Sequence, residues 1–410
     1  MAVLVVGAGI IGVTIAYTLQ RRGQQVILID RDAPGKGASY GNMASISVTG
    51  FMPASRPSIW KQIPGWLLNP DGPVCIRPNY MGRLTPWFLR FIAASLPAKR
   101  HALEAQGAAL CTRVYDDLLP LLQETGLTGE LTEEGCLSIY TDEAAFRADR
   151  ENLALLEQFG FPHERFEGQA LKHLEPELSD QIKIAVLLPQ NRSVRDPYRL
   201  VTSLAAQFVA LGGVIKRGDV VGFSCGDAIE ALHLADGSKV AADQVVICAG
   251  AYSNRLAKCL NEPIPLETER GYHTQIMSPG IKMRHALIWP ARAFMVTPTA
   301  GGIRVGGTVE MAGLDAPPDY RRAQVTVRHA RQALPGLRAE HITEWMGHRP
   351  ALPDTIPIIS ASAKTKGVYY ATGHGHLGLT YAATTARLMA DLMLGQRPPI
   401  DLHPYRINRF

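Results

Sequence analysis

The chain has 410 residues, more than a single hydrophobic core usually supports, so two domains are the starting expectation. Its net charge of +5 is spread without a basic run or interleaved aromatics, which argues against nucleic-acid binding, and no apolar run is long enough for a transmembrane helix. The cysteines, at 75, 111, 136, 225, 248 and 259, form no CxxC pair and no metal-ligand spacing, so neither a zinc site nor a disulfide framework is expected and a reducing, intracellular compartment fits.

The first thirty residues carry the strongest signal. An apolar run, Val3 to Val6, meets Gly7, Gly9 and Gly12 in a G-x-G-x-x-G turn; a helix is predicted over 13–22 with Gly23 as its stop, and a second apolar run over 25–29 ends in Asp30. The first glycine permits a tight turn, the second lets backbone approach a pyrophosphate, and the third lets the helix pack closely, with its free N–H groups aimed at the phosphates. Asp30 then stands where a ribose hydroxyl would bind, so this is read as a dinucleotide site in an α/β domain. The apolar segment lacks a basic lead and is needed as a strand, so it is not read as a signal peptide. The glycine-rich loop 34–42, with Ser39 and Asn42, is suited to wrapping N–H groups and a hydroxyl around phosphate oxygens.

From 51 to 96 the composition turns to Trp, Pro, Leu and Arg. Apolar spacing predicts helices over 99–124 and 143–159, and Asp196 caps a further helix with Pro197 in its first turn, running to Ala210 and stopping at Gly212-Gly213. Strand-like runs follow over 214–223, 228–234 and 239–248, with a hairpin turn at Asp236-Gly237, and the last of them enters a small-residue turn, Ala249-Gly250-Ala251-Tyr252-Ser253. Residues 264–310 alternate as an antiparallel sheet does. A strand over 367–373 then leads through a second glycine-rich turn, 373–378, into a helix over 381–394.

A second such turn far from the first suits a cofactor larger than a nicotinamide dinucleotide. Together, Gly7 to Asp30, Ser39-Tyr40-Gly41-Asn42, Cys248 to Ser253, Arg270-Gly271-Tyr272, Gly347-His348-Arg349-Pro350 with Pro353-Asp354 and Pro357, and Gly373 to Gly378 resemble the FAD-dependent amine and D-amino acid oxidoreductases of the DAO family, over nearly the whole chain and in the same order. The chain looks most similar to the bacterial D-amino acid dehydrogenases, which share the Ser-x-Gly-Asn loop, the Trp/Pro/Arg-rich segment from Trp66 to Arg90 and the Arg-Gly-Tyr strand. The resemblance implies an α/β fold: a Rossmann-like FAD-binding domain of the glutathione-reductase type over 1–50, 185–256 and 344–400, and an antiparallel-sheet substrate domain over 51–184 and 257–343.

It also implies FAD held without a covalent bond and contacted by Gly7, Gly9, Ile10, Ile11, Gly12, Asp30, Arg31, Ser39, Asn42, Val220, Ala249, Gly250, Arg349, Gly375, His376, Leu377, Gly378, Leu379 and Thr380. Val220 would offer backbone hydrogen bonds to adenine, and Asn42 would lie near the flavin ring, followed by Met43-Ala44 where the family has a small pair. The helix dipole behind 377–380 would favour the reduced flavin anion at its pyrimidine oxygen.

The implied activity is oxidative deamination of D-amino acids, with D-proline and cis-4-hydroxy-D-proline among the candidates. Hydride passes from Cα to flavin N5, water hydrolyses the imino acid, and the electrons pass to a quinone or another non-oxygen acceptor. The alternatives are a glycine- or sarcosine-type amine oxidase using O2, and a flavin-binding subunit of a larger redox complex with no amine site of its own. A carboxylate clamp calls for arginine with a tyrosine hydroxyl. The candidates are Arg270, Tyr272, His273 and Arg349, with Arg270 and Tyr272 on one side of their strand. The arginine that glycine-oxidase-like relatives carry near 299 is absent, since Thr297-Pro298-Thr299-Ala300 stands there. His374 and His376 are read as lining the turn or the substrate pocket, and no metal is expected. The segment 59–91, with Trp60, Trp66, Trp87 and Phe88 among Lys61, Arg77, Arg83 and Arg90, either covers the cleft or rests on the inner face of the cytoplasmic membrane to meet a quinone.

Overall fold

The computed structural model describes residues 2–54, 65, 69 and 72–410, so Trp60, Lys61 and Trp66 lie outside the described residues. Val3–Val6 is buried along its whole length, as a strand covered on both faces must be. It pairs in parallel with Val26–Asp30 on one side and Gln244–Ile247 on the other, Val5 opposing both Leu28 and Val246. The resulting six-stranded sheet runs Ile358–Ala361, Val368–Thr372, Gln244–Ile247, Val3–Val6, Val26–Asp30, Val214–Arg217. Only the edge strand Ile358–Ala361 is antiparallel to its neighbour.

The two faces of this sheet are covered differently. On one, Val3, Val5 and Leu28 join Val13 and Ile15 of the helix Ile10–Arg21 and Ala386 and Met389 of the helix Gly378–Met393. On the other, Leu4, Val6 and Ile29 meet Val220, Leu232 and Leu234 of a three-stranded sheet, Val220–Cys225, Ile229–Leu234 and Lys239–Ala241. The predicted strand 239–248 therefore divides. Lys239–Ala241 is largely exposed and stays in the hairpin, whereas Gln244–Ile247 is almost wholly buried and crosses to the parallel sheet.

Two predicted helices are also interrupted: 99–124 becomes Pro97–Cys111 and Val114–Glu124, and 143–159 becomes Glu143–Ala148 and Arg150–Gln158, breaking at Asp149. The Asp196 carboxylate accepts from the N–H groups of Tyr198 (3.0 Å) and Arg199 (3.1 Å), which starts Pro197–Ala210 where the sequence places it.

The larger sheet runs Ile342–Ala351, Glu267–Ile276, Gly302–Met311, Phe294–Thr299, Ala286–Trp289, Cys136–Tyr140, Ile184–Leu188, Glu164–Glu167, with Val74–Ile76 added beside Gly302–Met311. Its pairing is antiparallel except where Ala286–Trp289 meets Cys136–Tyr140 and where Val74–Ile76 joins. Ile184–Leu188 and Ile342–Ala351 are strands of this sheet. The boundaries 185 and 344 drawn from the sequence thus fall inside strands of the larger sheet. No helix of the described residues is long and apolar enough to cross a membrane.

Candidate active site

A cavity of about 1090 Å³ is lined from both sheets. On the glycine-turn side it meets Gly7, Gly9, Asp30, Arg31, Val220, Ala249 and Gly250. Gly7 has φ +111°, and a Cβ there would lie 2.4 Å from the Cys248 carbonyl oxygen; one on Gly12 would lie 1.8 Å from the Gly7 oxygen. Gly12 thus packs the helix against its own turn and Gly7 packs that turn against Cys248, while Gly7 and Gly9 both line the cavity. Asp30 Oδ2 accepts from Ala8 N at 2.6 Å, bracing the turn, and Ser39 Oγ accepts from Ile10 N at 2.9 Å. The Arg31 guanidinium lies 4.0 Å from the centroid of the Tyr252 ring. Asn42 shapes its own loop: Nδ2 donates to the Ser39 carbonyl, and Oδ1 accepts from the N–H of Ala44, which sits at φ 56°.

Strand alternation decides what faces the cavity from the larger sheet. On Glu267–Ile276, Glu269, Gly271 and His273 face it. Arg270 does not: it is fully buried on the opposite face, donates to the carbonyls of Gly313 (2.8 Å), Ala316 (2.5 Å) and Pro317 (3.2 Å), and lies 3.5 Å from Glu310. Tyr272 borders the cavity, but its hydroxyl is turned to the same far side, donating to Glu310 Oε2 (2.6 Å) and accepting from Asp319 N (2.9 Å).

Arg349 stands opposite Glu269 in the neighbouring strand. Its guanidinium occupies the space over Gly271, where a Cβ would come within 2.2 Å of Cζ. Nη1 donates to the Thr308 carbonyl at 3.2 Å, and among the described residues no carboxylate forms an ion pair with it. Glu269 Oε2 lies 2.6 Å from His376 Nε2. Burial pushes the Glu269 carboxyl up, but the charges of His376 and Arg349 more than offset this and leave it below its ordinary value.

His374 is buried, bonds Thr385 Oγ1 at 3.0 Å, and is pushed down to about 3 by burial, so its ring is neutral. His273 is likewise pushed down to about 3, by burial and then by Arg304; its Nδ1 donates to the Gly41 carbonyl and its ring stacks on Trp345. Trp345 lies in a slot between Gly41 and Gly347, where a Cβ would come within 2.1 Å and 1.9 Å of the indole. Met43, Phe51, Val74, Ile288, Met295 and Val309 give the cavity an apolar stretch of wall. Among the described residues no group of three His, Cys, Asp or Glu side chains is arranged to hold a metal ion.

The family model described as DAO, FAD dependent oxidoreductase, matches residues 2–392. The chain belongs to the DAO family. Among curated relatives of this DAO-family enzyme, one named D-amino-acid oxidase from Bradyrhizobium diazoefficiens is 33% identical, covering 100% of this chain and 98% of its own. Another, named D-amino acid dehydrogenase, from Sinorhizobium medicae, is 29% identical and covers 100% of both chains. Among solved structures, glycine oxidase from Geobacillus kaustophilus has the same fold, with a TM-score of 0.78 and 19% identity over 100% of this chain and 98% of that one.

FAD dependence comes with the DAO family, and the residues present fit that cofactor. The cavity exceeds the roughly 300–1,000 Å³ typical of small-molecule sites. The bare backbone of Gly7 and Gly9 admits a pyrophosphate, and the helix Gly378–Met393 begins at the cavity with no side chain capping it, leaving its first N–H groups for an acceptor. Of the residues expected at the cofactor, Gly7, Gly9, Ile10, Ile11, Asp30, Arg31, Ser39, Asn42, Val220, Ala249, Gly250, Arg349 and 375–379 line the cavity and would hold it there. Gly12 and Thr380 do not line it; the Thr380 hydroxyl accepts from Ser47 N at 3.0 Å. Sequence reasoning missed Glu269 and Trp345. The signal available was Gly271 itself, since glycine within a strand marks a close approach and its face holds 269 and 273.

Proposed function

We propose that this enzyme oxidises D-amino acids, with Arg349 holding the α-carboxylate. The observation that carries the reading is a guanidinium set over Gly271 in the cavity wall, hydrogen-bonded to the Thr308 carbonyl and in direct ion-pair contact with no carboxylate among the described residues. Such a group gains most from a bidentate anion, which an amino acid supplies. When bound, FAD supplies the hydride acceptor. The chain's own residues bind and orient: Arg349 fixes the carboxylate, while Met43, Phe51, Ile288, Met295 and Val309 receive an apolar side chain, which suits D-proline and cis-4-hydroxy-D-proline. The relatives named for D-amino acids support the stereochemical assignment.

For the acceptor, the helix Met81–Ala94 exposes Met81, Arg83, Leu89 and Arg90, with Leu96 just beyond it, an apolar and basic surface that supports a quinone at an anionic membrane. The relative named an oxidase supports a second reading, direct use of O2. An arginine in the cavity wall with no direct carboxylate contact among the described residues argues against a flavin subunit with no amine site.

The test is anaerobic titration of the purified flavoprotein with D- and L-amino acids, glycine, sarcosine, prolines and hydroxyprolines. Bleaching of the visible flavin band by D-amino acids is the expected result, and failure of every amino acid to bleach it overturns the reading. Under air, stoichiometric peroxide without an added acceptor assigns O2 as the oxidant.

A further inference from the structure

The carboxylate clamp leaves a second charged pair in the cavity wall unused. Glu269 faces Arg349 across the strand pair and its side chain is only 14% exposed, whereas that of His376 is 54% exposed. Because a carboxylate accepts, the proton of their 2.6 Å bond belongs to His376 Nε2, and in the neutral ring Nδ1 then holds the lone pair. Among the described residues Nδ1 has no hydrogen-bond partner. Glu269 is the charged group bonded to this imidazole, and Arg349 acts on Glu269 from the neighbouring strand; His374, on the same turn as His376, is neutral and bonded to Thr385.

An α-amino acid arrives at neutral pH as a zwitterion. Its ammonium form resists hydride loss, because the nitrogen lone pair is needed to stabilise the positive charge that develops at Cα. One proton must therefore leave the nitrogen first. A fixed cation at Arg349 beside a fixed anion at Glu269 matches the two charges of that zwitterion.

We propose that Glu269 and His376 form the amine side of the substrate site, with Glu269 as counter-charge and His376 Nδ1 as acceptor of the ammonium proton. This rests on the amino acid reading above. In the step, an N–H bond of the ammonium breaks, its electron pair stays on the amine nitrogen, and the proton bonds to Nδ1. The imidazolium is balanced by Glu269, which also holds the tautomer, and its exposed edge passes the proton to water.

The experiment follows anaerobic reduction of the holoenzyme against pH, using the D-amino acid that bleaches wild type fastest, in wild type, His376→Gln and Glu269→Gln. The wild-type rate rises with pH to a plateau once the proton acceptor is free. His376→Gln is slower on the order of 100-fold at neutral pH. Its inflection moves up toward the amine's own value, and the rate recovers in alkali. In Glu269→Gln the loss is smaller and the inflection moves the other way, to lower pH, because the anion that balances the imidazolium and the ammonium is gone. Binding of propionate, which has a carboxylate and no amine, is read from the flavin spectrum and is unchanged in His376→Gln. If His376→Gln does not retain flavin, Glu269→Gln, which keeps a hydrogen-bonding group of similar shape, decides the matter. A profile that superimposes on wild type, or a loss equal at every pH, overturns the proposal and leaves the substrate reading standing. If no amino acid reduces wild type, both fall.

Discussion

Gly271 has no Cβ, and the space that atom would fill holds the Arg349 guanidinium. The obstruction met by an added methyl is the far end of a flexible side chain, and the position is ordinary strand backbone without a positive φ. Gly271→Ala is therefore expected to melt close to wild type while KM rises about 10- to 100-fold, the loss of a charge-assisted hydrogen-bonded contact. Arg349→Ala should match it. A Gly271→Ala enzyme with wild-type KM would show that Arg349 does not hold the carboxylate. Much of this was legible: Arg349, Gly271 and the glycine turn were all marked by residue type. The partnership was not, because Glu269 and Arg349 are neighbours only through long-range strand pairing, which no local pattern encodes.

The strand Glu267–Ile276 has two faces with separate duties, and the sequence gives its alternation without its orientation. Both faces are largely buried, so no polarity contrast tells front from back. Arg270 and Tyr272 were expected at the substrate and lie behind the sheet. There Glu310 accepts from Tyr272 and from Arg77 Nε (2.7 Å), and Arg77 also donates to the Pro317 carbonyl, tying Val74–Ile76 and the loop 313–319 to the strand. Arg270→Met strips the carbonyls of Gly313, Ala316 and Pro317 of their donors and leaves Glu310 one cation fewer. It should cost about 3–5 kcal/mol of stability. Equilibrium unfolding in urea measures this. A variant as stable as wild type but with a raised KM would return Arg270 to the substrate. The predicted helices show the same limit on a smaller length: apolar spacing ran unbroken through residues 112–113 and 149, where the backbone turns.

The boundaries expected at 185 and 344 fall inside Ile184–Leu188 and Ile342–Ala351, which complete the larger sheet by pairing with distant strands. That packing also buries imidazoles. Burial holds His273 and His374 down to about 3 and His348 to about 4. In the unfolded chain each titrates near about 6.5, so below that pH the unfolded state binds more protons, and stability falls by up to about 1.4 kcal/mol per pH unit for each histidine. Urea midpoints measured from pH 7 down to pH 5 should fall accordingly, and His374→Gln should flatten the slope; a flat wild-type profile would mean these rings are not neutral in the native state. The pairing of Val3–Val6 also sets a timetable for biosynthesis. Its neighbour Gln244–Ile247 emerges from the ribosome roughly 240 residues later, a wait of roughly 10–50 s at ordinary elongation rates. Until then an entirely apolar strand stands open along one edge, where another chain can pair with it.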